Sequence, residues 1–130
     1  PPDSPPTAPK ASHASKNAAK MLIRFEDDLA QYITARQQHD PEGTRQFTQG
    51  YIAQQMQCVS LAGSLVDPLA AELKQAGCQE RHTSKTWRLY QCLKGQTLES
   101  IILLFASEDA CRKSREEIQA LVETSYDIHR

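Results

Sequence analysis

Four cysteines, Cys58, Cys78, Cys92 and Cys111, constrain this chain more than any other feature, because their separations of 20, 14 and 19 positions leave no close pair. A structural zinc site draws two ligands from one turn so that half of its tetrahedron is already formed, and no C-x-x-C spacing offers that here. An even number of widely spaced cysteines points instead to two disulfides and an oxidising compartment. Cys78 and Cys92 lie symmetrically about Lys85. A hairpin turning at Ser84 and Lys85 therefore sets them opposite each other and leaves Cys58 for Cys111. The alternative is four buried thiols, since free cysteine packs as a small hydrophobe.

Five of the seven prolines fall within the first nine positions, and alanine supplies the only apolar side chains of residues 1–20 apart from those prolines. Such a stretch buries too little surface to offset the entropy of ordering it, and it reads as a Pro-rich disordered tether. It opens without methionine, signal peptide or anchor, so a segment removed upstream of Pro1 is expected. A membrane contact would come only through an anchor there. Residues 21–130 then have the composition of a single globular domain.

Within that domain Leu22, Phe25, Leu29 and Ile33 recur at helical spacing and predict a helix over residues 16–38. Asp40-Pro41-Glu42 is a start signal for a second helix carrying Phe47, Tyr51, Ile52, Met56 and Val59 and ending at Gly63. Asp67-Pro68 begins a short third helix that stops at Gly77. The period then changes to two. Trp87, Leu89, Gln91 and Leu93 alternate with Arg88, Tyr90 and Cys92, and Leu98–Ala106 contains the continuous apolar run IILLFA, suited to a central strand. Residues 79–84 are open between strand and loop. Ser107 caps a last helix. The expected fold is α+β: about three helices, a small antiparallel sheet and a C-terminal helix, stapled by disulfides.

Catalytic signatures are missing from the sequence: no G-x-S-x-G, no H-E-x-x-H, no P-loop, no dinucleotide-binding glycines. His13, His39, His82 and His129 do not approach one another at ligand spacing. The paired acids Glu108-Asp109 and Glu116-Glu117 are explained as solvated helix faces and first turns. No cofactor, metal or catalytic residue is expected. A net charge of −1, from fifteen basic and sixteen acidic residues, opposes binding to a phosphate backbone.

Contact with another protein is the remaining role. The segment Thr44–Gly63 is almost free of charge and contains Phe47, Tyr51 and Met56, a composition shared by interfaces and by helices packed on several sides. Phe47, Tyr51, Met56 and Trp87 are the candidate interface residues. In its size, tail and cysteines the chain resembles small exported accessory lipoproteins such as secretion pilotins. That resemblance implies an accessory or assembly factor of a bacterial envelope or secretion system, periplasmic or extracellular, with an envelope component as partner. Two alternatives stand beside it: an inhibitor or immunity protein that blocks an enzyme, and a small secreted enzyme using a cysteine nucleophile.

Overall fold

The computed structural model describes residues 17–25 and 27–128. The chain opens on a strand, β1 (Asn17–Arg24), followed by helices α1 (Asp27–Gln37) and α2 (Pro41–Gln55) and a short strand β2 (Val59–Ala62). A 3₁₀ turn (Gly63–Leu65) leads into α3 (Val66–Gln75), then β3 (Gln79–Thr83), β4 (Trp87–Lys94) and β5 (Thr97–Phe105). Helices α4 (Glu108–Lys113) and α5 (Arg115–Ile128) complete the described chain. The five strands form one antiparallel sheet in the order β2-β1-β5-β4-β3.

The α+β class holds, but the expected order of helices before sheet does not. A strand precedes the first helix, and a second one follows α2. The segment NAAKMLIR is rich in good helix formers (Ala, Lys, Met, Leu and Arg), yet it lies between β2 and β5, where main-chain bonding on both sides and burial of alternate residues outweigh propensity. Ala19, Met21 and Ile23 enter the core on one face, with Met21 opposite Leu103 and Ile23 opposite Ile101. β1 starts at Asn17, four residues inside the stretch assigned to the tether. Residues 1–16 lie outside the described residues.

Two further boundaries move. α2 stops at Gln55 instead of Gly63, because Val59–Ala62 pairs with Lys20–Asn17 of β1. The last helix is two. Ser114, a weak helix former that favours helix ends, separates α4 from α5. QERHT at 79–83 is a strand, an edge made unattractive to further pairing by its charges and by a bulge at Arg81.

Both faces of the sheet are covered, unequally. The larger core joins Met21, Ile23, Leu89, Ile101, Leu103 and Phe105 to Ile33 of α1, Ile52 of α2, Cys111 of α4 and Ile118 and Val122 of α5. The smaller one packs Ala70 and Leu73 of α3 on Tyr90, Cys92 and Leu104. β5 serves both cores, with Leu103 and Phe105 on one face and Leu104 on the other, which is why its residues 101–105 are an unbroken apolar run.

Candidate interaction surfaces

All four cysteines are paired, Cys58 with Cys111 and Cys78 with Cys92, as the hairpin argument predicts. The turn that opposes Cys78 to Cys92 runs through Ser84, whose Oγ accepts from the amides of Thr86 and Trp87. Cys58–Cys111 fixes the entry to β2 against α4, and Ser60 of β2 donates a hydrogen bond to Glu108 beside it. These bridges indicate an oxidising, non-cytoplasmic compartment, and no free thiol exists among the described residues. No described helix is long and apolar enough to cross a membrane.

The four candidate interface residues separate into two pairs. Met56, 1% exposed, and Trp87, 3% exposed, belong to the larger core, and Trp87 is further covered by the His82 ring stacked at 4.3 Å. Phe47 and Tyr51 lie together on the outer side of α2, where a turn of helix brings residues four apart onto one face. Their rings are 6.4 Å apart. Phe47 also meets Tyr32 of α1 edge-on at 5.1 Å, and Tyr51 reaches Phe25 at 6.3 Å. The outcome is a line of rings whose outer members, Tyr32 at 42% and Phe47 at 39%, remain exposed.

Polar contacts fix this line at both ends. The Tyr51 hydroxyl donates to the Arg24 carbonyl at 2.8 Å. At the other end the Arg36 guanidinium lies 5.5 Å from the Tyr32 ring centre, donates to its hydroxyl at 2.6 Å and pairs with Asp40 at 3.3 Å. The Tyr32 oxygen, and secondarily Asp40, hold Arg36 above the ordinary arginine range. Rigid rings carrying a polar tip lose little conformational freedom when a partner covers them. Tyr32 escapes a reading of the sequence because the stripe of α1 runs through Leu29 and Ile33, and only the placement of α2 reveals that Tyr32 meets Phe47.

A second feature lies across the sheet. Between α3 and the β3–β4 hairpin a cleft of about 410 Å³ is bordered by Val66, Lys74, Glu80, Arg88 and Leu104. Tyr90 pairs with Glu80 across the β3–β4 ladder, and its buried hydroxyl interacts with Glu80 and Arg88 without a hydrogen bond of ordinary geometry to either. Burial first, and then the Glu80 carboxylate, push Tyr90 above the ordinary tyrosine range, while the Thr83 hydroxyl, Tyr90 and Lys74 hold Glu80 below the usual carboxylate range. Arg88 is raised by the Tyr90 oxygen and by Asp67. The bulge at Arg81 makes this cluster possible: it returns Thr83 to the face of Glu80, three positions away, and no composition signal announces it. No group of three or more His, Cys, Asp or Glu side chains suited to a metal ion occurs among the described residues.

The chain matches no family model, no curated protein and no solved structure.

Proposed function

We propose that the chain is a non-catalytic protein-interaction domain of an oxidising compartment, an accessory or pilotin-like assembly factor of an envelope or secretion system, and that its partner protein docks on the α1–α2 ring line. The observation that carries this reading is the exposed Tyr32–Phe47 contact, continued by Tyr51. Aromatic side chains immobilised in the free protein are what protein interfaces concentrate at their centres, because covering them costs little order. The bridged cysteines support an exported location and speak for contact over thiol chemistry.

Site-directed photocrosslinking tests it. A photoreactive residue at position 47 is expected to capture one discrete envelope protein, and the same residue at the exposed Glu72 of α3, on the opposite face of the sheet, is expected to capture none. Phe47→Ala should abolish co-purification of that protein while leaving the thermal midpoint of the domain within a few degrees. Fractionation of the native protein with the cytosol, or identical crosslinking from both positions, overturns the reading. Capture of an enzyme that loses activity on binding would assign the inhibitor role in its place.

A further inference from the structure

α3 is strapped to the β3–β4 hairpin at two points. Asp67 of α3 accepts from Arg88 of β4 at 3.0 Å, and Lys74 of α3 pairs with Glu80 of β3 at 3.7 Å. Seven residues along a helix are two turns, so the straps are roughly 10 Å apart. The cleft of about 410 Å³ lies along them, and the apolar side chains bordering it on this face of the sheet are Val66 and Leu104. That volume falls within the range of about 300–1,000 Å³ typical of small-molecule pockets, which combine an apolar lining with a few convergent polar groups.

The polar groups are biased toward an anion. Lys74, Lys85 and Arg88 line the cleft against one acid, Glu80, and Glu80 is already engaged by Lys74 and the Thr83 hydroxyl. Asp67, the ion-pair partner of Arg88, has a side chain 85% exposed. An exposed pair of this kind contributes little, so a better-oriented anion displaces it readily.

We propose that this cleft binds a small organic anion, an acidic head group on a compact apolar body, with the head taken by Arg88 and Lys85 and the body against Val66 and Leu104. The site is on the sheet face opposite α1 and α2, and its occupancy is independent of the ring line.

Amide-resolved NMR titration of the oxidised full chain with benzoate, phenyl phosphate, benzamide and acetate is the test. Saturable shifts at residues 83–88 and Lys74 are expected with benzoate or phenyl phosphate, at a Kd of about 1 mM or tighter. The tighter of the two identifies the head group as carboxylate or phosphate. Benzamide, which keeps the ring and loses the charge, and acetate, which keeps the charge and loses the ring, should bind at least tenfold more weakly. Arg88→Gln should weaken binding at least fivefold, and Lys85→Gln carries the same test should the first variant not fold. Benzamide binding as well as benzoate, shifts scattered over unrelated lysines, no saturation, or unchanged affinity in both Arg88→Gln and Lys85→Gln would each overturn the assignment.

Discussion

Gln55 closes both main-chain groups of Arg24 with one side chain: its Oε1 accepts from the Arg24 amide at 2.9 Å, and its Nε2 donates to the Arg24 carbonyl at 2.9 Å. β2 runs beside β1 only from Asn17 to Lys20, so the outward-facing groups of Arg24 lie beyond the end of that neighbouring strand. The amide of Gln55 takes the place of a strand there, and the Tyr51 hydroxyl adds a second donor to the same carbonyl. A net contribution of about 0.5–1.5 kcal/mol per intramolecular hydrogen bond applies, reduced where water reaches the freed groups. Gln55→Ala is therefore expected to cost about 1–2 kcal/mol in urea unfolding, with faster amide exchange confined to the end of β1. An unchanged midpoint would show that water replaces the clamp fully.

That clamp also shows what a one-dimensional reading catches and what it misses. The charge-poor face of α2 is compatible with an interface or with packing on several sides. Gln49 bonds Glu123 of α5, Gln119 of α5 donates to the Gln49 carbonyl, and Gln55 bonds β1. Most of that face is consumed inside the domain, leaving Phe47 as its exposed large apolar residue. Features carried by local chemistry are legible in order: the Asp40-Pro41 start, the Ser107 cap, the glycines at Gly77 and Gly95 with positive φ, and the alternation in β4. β1 is not, because the alternation of Ala19, Met21 and Ile23 overlaps a three-and-four spacing through Leu22 and Phe25, and pairing with a strand some eighty residues later decides between them. The disulfide pairing is legible because one hairpin fixes it. The cleft is not, because it depends on a bulge and on where α3 lands.

Two glycines of α2 predict substitutions of opposite sign. At Gly43 an added Cβ would lie 2.1 Å from Oδ2 of Asp40, the residue whose Oδ1 accepts from the Gly43 amide as the N-terminal cap. Gly43→Ala must displace that carboxylate, and losing a cap costs about 0.5–2 kcal/mol, offset in part by the better helix propensity of alanine. At Gly50 an added Cβ meets nothing within 4 Å. Gly50→Ala should raise stability by about 0.5–1 kcal/mol. Thermal melts of the two variants are expected to shift in opposite directions, and a shared direction would contradict the cap geometry.

The two bridges should differ in their effect on stability. Cys58–Cys111 spans a separation of 53 residues and Cys78–Cys92 one of 14. Loop-closure entropy gives about 4 kcal/mol for the longer and about 3 kcal/mol for the shorter. Cys58→Ala/Cys111→Ala also removes a sulfur atom at position 111, which is fully buried in the larger core. This double variant should lose more stability than Cys78→Ala/Cys92→Ala in denaturant titration, and addition of reductant should lower the wild-type midpoint below either. Equal losses would mean that strain or residual structure, not chain entropy, sets the difference.

Tyr90 and Glu80 set the pH response of the α3 side of the sheet, in opposite windows. Tyr90 is raised above its ordinary value of 10.0, mainly by burial, so the folded state holds a proton that the unfolded chain releases. Its contribution is complete below about pH 10 and is lost as pH rises through the folded value. Glu80 is lowered, first by the Thr83 hydroxyl, so its contribution is present above the ordinary carboxylate range and is lost as pH falls through the folded value. Wild-type stability should therefore decline at both ends. Tyr90→Phe should flatten the alkaline limb and leave neutral-pH stability unchanged or higher, since it removes a buried hydroxyl that makes no hydrogen bond of ordinary geometry. Thr83→Val should weaken only the acid limb. Phenolate absorbance followed with pH reads the first group directly: one tyrosine ionising late in wild type and absent from Tyr90→Phe is the expected pattern. An alkaline limb identical in the two proteins would remove Tyr90 from the account and leave its buried hydroxyl without an energetic role.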